Sequence, residues 1–428
     1  MDIVDVETIE TASLGDRSYV AHDGEQAIVV DPQRDLDRVR RLLDDRNLRC
    51  ALVLETHIHN DYVSGGLHLA RSTGATYAVS AAAPVAFVRR PVADGDALRV
   101  GDLWIRVVAT PGHTENHLAY IVNESAVFTG GSLLYGSVGR TDLVDPARTD
   151  ALTRAQFRSA QRLAELCEDD ARVYPTHGFG SFCSSGSITD GASVSTIGEE
   201  RTRNDALVET DEDAFVSRLV AGLTAYPRYY AHMGALNLDG AGPADLSPPS
   251  PVAPEDLAKR IVAGDWVVDL RSRTAYAAGH LLGTIGIELG QNFATYLGWL
   301  IPWGTPLTLL GDSPSDVADA QRQLTRIGID RPSAALGLPP ADLRGYRTAT
   351  FAGIPPGANV LDVRRDDERA AGSLPGSTHI PLHSLTSRLD EVPPGEVWVH
   401  CATGYRASIA ASLLDRAGRE VVLIDDTY

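Results

Sequence analysis

The 428-residue chain carries a formal charge of −19, from 57 Asp and Glu against 38 Lys and Arg. That balance argues against nucleic acid and against an anionic membrane surface as partners, since both require a basic face. The length exceeds one ordinary core and predicts three domains.

The N-terminus has no basic region followed by an apolar one, and no stretch approaches about 20 uninterrupted apolar residues, so a soluble, cytoplasmic protein is expected. Lys259 is the only lysine, so positive potential for an anionic ligand must come from arginine. The four cysteines, Cys50, Cys167, Cys183 and Cys401, form no Cys-x-x-Cys pair. Neither a disulfide framework nor a cysteine zinc knuckle is expected, and any cysteine chemistry belongs to a single thiol.

In chain order, short β-runs are predicted at 27–30, 51–54, 104–108, 119–122 and 126–128, and helices at 36–45, 66–72 and 150–167. Several strands end in loops that hold His or Asp: Thr56-His57-Ile58-His59-Asn60-Asp61-Tyr62, Thr110-Pro111-Gly112-His113-Thr114 and Tyr174-Pro175-Thr176-His177-Gly178. His57, His59 and His113 are three imidazoles that can hold one Fe(II) or Zn(II) ion with open coordination positions, with Asp61 and His177 as secondary candidates. The competing reading is a pocket without metal, its histidines kept as hydrogen-bonded polar groups. His68, His117 and Cys183 read as packing residues, and Thr196 to Glu199 has the spacing of a helix capping box.

Residues 240–254 are rich in Gly, Pro and Ser and read as a linker. They close a first domain at 1–240. Beyond them the chain repeats itself: Val268-Asp269-Leu270-Arg271 matches Leu361-Asp362-Val363-Arg364, and Leu281-Leu282-Gly283-Thr284 matches Leu374-Pro375-Gly376-Ser377. The offset, 362 − 269, is 93 residues, which suits two copies of a small α/β domain, at 252–345 and 350–428. The second boundary is expected between Pro339-Pro340 and Gly353.

The last copy holds His400-Cys401-Ala402-Thr403-Gly404-Tyr405-Arg406 between an apolar strand and a helix. In the first copy Gly311 stands where Cys401 stands and Asp316 where Arg406 stands, so that copy carries no sulfur. Its apolar stretch Phe293 to Trp303 is core or a domain or subunit interface, and the chain leaves a homo-oligomer open.

The three histidine loops, together with Phe128-Thr129-Gly130-Gly131, Gly139-Arg140-Thr141-Asp142 and Ser195-Thr196-Ile197-Gly198-Glu199, resemble the persulfide dioxygenase and hydroxyacylglutathione hydrolase branch of the metallo-β-lactamase superfamily. The cysteine loop resembles that of rhodaneses. The implied fold class is α/β multi-domain, an αββα sandwich followed by two rhodanese-like parallel-sheet domains, the last shorter at its C-terminal end than the family usually is. The resemblance also implies that Arg140 and Asp142 line the thiol-substrate side of the pocket. It implies that Cys401 is catalytic in a loop built with Gly404 and Arg406, whose amides and helix N-terminus stabilise a thiolate or persulfide anion.

Two positions depart from the first pattern. Tyr62 replaces an imidazole of a second metal position, and Gly131 replaces a carboxylate that bridges or completes the site. A one-ion site or none is what remains, and Gly131→Asp is expected to raise iron affinity.

The leading expectation is oxidation of a low-molecular-weight thiol persulfide to sulfite, coupled to sulfur transfer on Cys401 with thiosulfate as a partner. The alternatives are a metal-dependent thioester hydrolase and a metal-free sulfur carrier or scaffold with sulfurtransferase activity only.

Overall fold

The computed structural model describes residues 4–185, 194–339 and 343–428; Pro340, within the expected second boundary, lies outside them. The chain divides into two compact units, Met1–Ala244 with Thr325–Gly328, and Asp245–Leu324 with Ile329–Tyr428.

The first unit is built on two six-stranded sheets. One runs in sequence order through Asp5–Thr11, Asp16–His22, Gln26–Val30, Arg49–Leu54, Thr76–Ser80 and Arg90–Val92. The other has the order Ser195–Thr196, Arg172–Pro175, Ala126–Gly130, Leu118–Val122, Leu103–Ala109 and Ala97–Val100. The central strands are apolar on both faces, and the two-residue alternation of a strand sorts their side chains. Ile28, Val30, Leu54, Ile105, Val107, Tyr120 and Phe128 meet in one cluster shared by the two sheets. Their neighbours turn the other way: Val29 and Val53 pack with Leu36, Val39, Leu43, Leu67 and Leu69, and Val108, Ile121 and Val127 pack with Phe157, Leu163 and Phe215. Helices Asp37–Asp45 and Gly66–Thr73 therefore cover one sheet, and Thr149–Glu165 and Glu212–Ala221 the other. The result is an αββα sandwich.

The Thr196 hydroxyl accepts from the Glu199 amide at the start of helix Ile197–Arg203, and the reciprocal bond completes the capping box read from the sequence.

The second unit contains two five-stranded parallel sheets with one topology. Strands Ser250–Pro251, Ser333–Leu336, Leu307–Gly311, Trp266–Asp269 and Ile285–Gly286 lie in that order, as do Arg347–Ala349, Val421–Ile424, Val397–His400, Asn359–Asp362 and Thr378–His379. The sequence repeat becomes a repeated clamp. Arg271 grips the buried Asp269 carboxylate and donates to Gly279 O at 2.9 Å. Arg364 does the same to Asp362 and Gly372 O, at 2.7 Å. Each clamp ties the end of a central strand to the turn after the next helix. Among the described residues no helix is long and apolar enough to cross a membrane.

Candidate metal centre and cysteine loop

The loops that leave the central strands of both sheets in the first unit converge at one end of the sandwich, where Leu118 N–H donates to Thr56 O at 2.7 Å and Thr176 N–H to Gly130 O at 3.0 Å. Six side chains gathered there, His57, His59, Asp61, His113, His117 and His177, are each at most 2% exposed. In that setting every ring nitrogen must find a partner or remain a desolvated lone pair, so the partners reveal the tautomers.

Thr56 Oγ1 donates to Asp31 Oδ2 at 2.6 Å and so accepts from His57 Nδ1 at 2.9 Å, leaving a lone pair on His57 Nε2. The Arg140 carbonyl can only accept, so the 2.7 Å bond to His113 Nδ1 leaves a lone pair on His113 Nε2. That nitrogen is buried and has no hydrogen-bond partner among the described residues. His177 Nδ1 lies 2.9 Å from Asp16 Oδ1 and 3.2 Å from Asp61 Oδ2, while its Nε2 faces His57 Nε2 at 3.3 Å.

Burial and the surrounding imidazoles push His57 well below its ordinary value. Burial and His177 push His113 down to about 3. Burial also pulls on His177, but the Asp61 and Asp16 carboxylates outweigh it and hold this imidazole well above the usual range. Asp16 is raised to about 8 by burial and by Asp61, whereas Asp61 is lowered against its burial by His177.

His57, His113 and His177 bring one ligand atom each within 4.8 Å of one another; Asp31–His57–His59 and His59–Asp61–His177 form two further such groups. His59, expected beside His57 and His113, directs Nε2 at carboxylates and a phenol: Glu55 Oε2 at 3.2 Å, Asp31 Oδ1 at 3.3 Å and the Tyr62 hydroxyl at 3.0 Å. Burial alone depresses His59, but Asp31 and Glu55 raise it to about 9. Tyr62 is fully buried and stacks on the His59 ring, centroids 4.3 Å apart. Asn237, on helix Tyr230–Asp239, donates to the carbonyls of His59 and Tyr62, each at 2.8 Å, and accepts from Ser64 N–H, which pins the loop.

His117 accepts the Gly131 amide on Nε2 at 3.0 Å and faces Thr110 Oγ1 through Nδ1 at 2.8 Å, so both its nitrogens are engaged inside the protein. At Gly131 the structure corrects an expectation. A Cβ there would lie 2.8 Å from His113 Nε2 and closer still to the ring carbons. The His113 imidazole occupies the volume that an aspartate side chain at this position would need.

Arg140 forks onto Asp142 at 2.7 and 2.8 Å and donates further to Phe182 O and Thr224 O. All three guanidinium nitrogens are thus engaged within the protein, and its carbonyl bonds the His113 ring. Asp16, Asp31 and Glu55, which decide the protonation of the cluster, escape the sequence reading. For the last two the available signal was an acid directly following the apolar runs that end at Val30 and Leu54. Cys183 is fully buried and its thiol is held well above the ordinary value by burial and by Asp61 and Asp16.

The donor set fits one cation. Two neutral imidazoles offer Nε2 lone pairs, the third is backed by carboxylates in the manner of metal-bound histidines, and buried carboxylates lie close by to balance charge.

In the second unit, strand Val397–His400 delivers Cys401 to a loop that closes at Gly404, φ +85°, before helix Tyr405–Arg416. A side chain at Gly404 would strike Asp425, so the tight turn demands glycine on both counts. Cys401 is 1% exposed. Arg406 is bidentate on Glu368, at 2.5 and 2.7 Å. The Tyr428 amide donates to Ala402 O at 2.9 Å, and its ring stacks on His400 while Arg364 lies 4.0 Å above it. The corresponding strand of the other copy, Leu307–Gly311, ends at Gly311, and Asp316 follows in helix Pro314–Arg326.

Residues 16–177 match the model of the Metallo-beta-lactamase superfamily, and residues 352–428 match the Rhodanese-like domain. The chain is 28% identical over 205 residues to the human mitochondrial persulfide dioxygenase ETHE1, covering 47% of this chain and 73% of that protein. It is 32% identical over 161 residues to a hydroxyacylglutathione hydrolase of Methylobacillus flagellatus, covering 37% and 60%. A crystal structure described as a metallo-β-lactamase from Staphylococcus aureus superposes with a TM-score of 0.69 at 26% identity, covering 79% of this chain and all of that one.

Proposed function

From a chain that carries a metallo-β-lactamase-superfamily domain and a C-terminal rhodanese-like domain, we propose an enzyme of persulfide metabolism. Its first unit oxidises the persulfide of a low-molecular-weight thiol, and Cys401 carries sulfane sulfur. The first reaction balances as RSSH + O₂ + H₂O → RSH + SO₃²⁻ + 2H⁺. The second is attack of the Cys401 thiolate on the outer sulfur of thiosulfate, which breaks the S–S bond, releases sulfite with the electron pair and leaves a cysteine persulfide; in reverse it makes thiosulfate from sulfite.

The observation that carries the reading is the convergence of His57, His113 and His177. We assign these three as the ligands of one ion, with Asp16 and Asp61 orienting His177, the Arg140 carbonyl orienting His113, and His59 held off by Asp31 and Glu55. A redox-active ion such as iron supplies the electron transfer to O₂ that zinc does not. Around it the chain's own residues fix ring tautomers, exclude bulk water through their burial, and hold charge on the carboxylates. The persulfide dioxygenase relative supports the substrate class.

Metal analysis of anaerobically purified protein, paired with O₂ uptake and sulfite release on glutathione persulfide, tests this. Iron near one per chain with uptake is expected. The second reading, thioester hydrolysis, draws on the hydrolase relative; Tyr62 and Gly131 weigh against the two-ion site it needs. Zinc-loaded protein that cleaves a glutathione thioester and takes up no O₂ would favour it. Protein without metal that still transfers sulfur from thiosulfate would make it a sulfur carrier.

A further inference from the structure

Three elements meet around the His113 ring and set its direction. The Arg140 carbonyl bonds its Nδ1, and the ring lies against Gly131. The third element is helix Thr149–Glu165, and there the contact is made by a side chain. Gln156, fully buried on that helix, accepts from the His113 amide at 2.7 Å through Oε1. Through Nε2 it donates to Gly131 O at 3.3 Å and to Ser132 O. The partners fix the orientation of the side-chain amide, because a backbone N–H only donates and a carbonyl only accepts.

Helix and loop approach to backbone contact. At Gly112, φ +148°, a Cβ would lie 2.4 Å from the Gln156 Cα, so the approach requires glycine. The Gly131 peptide is held from several sides. Its N–H donates to His117 Nε2 at 3.0 Å, and its carbonyl accepts from the Gly139 amide at 3.0 Å as well as from Gln156. Gly131 has no side chain that could tie this turn to an ion. The Gln156 amide therefore joins the turn to the site, by bonding it to the loop that carries His113.

We propose that Gln156 is a positioning residue of the metal centre. It locks the His113 loop to the Gly131 turn and so holds His113 Nε2, the buried nitrogen without a partner, in the direction of His57 and His177 before an ion arrives. A ligand ordered in advance loses less conformational freedom on binding, which appears as affinity. This rests on the assignment of His57, His113 and His177 as the ligands of one ion.

Co(II) binding by the full chain, followed through its d–d absorption, tests the proposal without any turnover. Gln156→Met keeps the volume and drops both polar groups. It is expected to weaken Co(II) binding by about 10–100-fold and to shift the band, while the near-UV circular dichroism stays that of the unmodified chain. Gln156→Asn, whose amide falls a methylene short of both partners, should lose affinity likewise and decides the matter if Q156M does not fold. Ser159→Ala is the control: Ser159 Oγ donates to Pro111 O at 2.7 Å and so anchors the same loop from the same helix, two residues before His113. It is expected to keep the affinity of the unmodified chain. Unchanged affinity in the Gln156 variants overturns the inference, and so does an equal loss in S159A, which marks simple anchoring of the loop. An unmodified chain that binds no Co(II) sinks the ligand assignment and the inference together.

Discussion

The two candidate centres of this chain are electrostatic opposites. Around His57, His113 and His177 the protein gathers imidazole lone pairs and buried carboxylates, which is what a cation requires. The loop of Cys401 runs into a helix N-terminus and carries Arg406, both of which favour an anion. Both are buried, the three histidines at most 2% exposed and Cys401 1%. Net charge hid this division: a chain at −19 builds an anion site by local placement of arginine.

The contrast is open to attack at either centre. The largest effect is expected from Cys401→Ser, which should cut thiosulfate-dependent sulfur transfer by more than about 10³-fold. It should leave persulfide-dependent O₂ uptake and metal content intact; a parallel loss of O₂ uptake would merge the two centres into one.

Next comes the clamp behind the cysteine strand. Asp362→Asn strands the Arg364 guanidinium, and urea unfolding of the second unit should show a loss of about 3–5 kcal/mol. The pH dependence has a definite sign. Against its burial, the bonds from Arg364 hold the Asp362 carboxyl below the usual carboxylate value. Its contribution is therefore present above the unfolded pKa of about 3.9 and is lost as pH falls through the lower folded value. Unfolding midpoints between pH 6 and pH 3 should fall less steeply in the Asn variant, and an identical slope would remove Asp362 from the acid limb.

Smaller still is Gly131→Asp. Because the new side chain would meet His113, it should lower the thermal midpoint by the equivalent of about 1–3 kcal/mol and reduce bound metal. A gain in iron would mean that His113 swings aside to restore a carboxylate ligand, and the cation centre would then be a latent form of the family site.

The alternating and continuous apolar runs made the strands legible, and the histidine loops marked the right end of the sandwich. Sequence could not order the histidines. What distinguishes His59 from His177 is largely non-local: Asp31 and Asp16, which bias one ring each, stand at strand ends remote in sequence from both. Nor does a missing side chain announce what fills its place, so Gly131 read as a lost ligand while the His113 ring occupies the gap. The cysteine loop was legible because its chemistry is local, a strand end, a glycine turn and a helix start within six residues.

The Asn237 clasp gives the cation centre a history as well as a geometry. Its bonds to the His59–Tyr62 loop join residues 178 apart in the chain. At the ordinary pace of about 5–20 residues per second, synthesis needs roughly 10–35 s to travel from one to the other. Throughout that interval the nascent polypeptide has made its first histidine pair and lacks the side chain that bonds the loop's carbonyls. The loop that carries His59 and Tyr62 is therefore pinned only once helix Tyr230–Asp239 has been made.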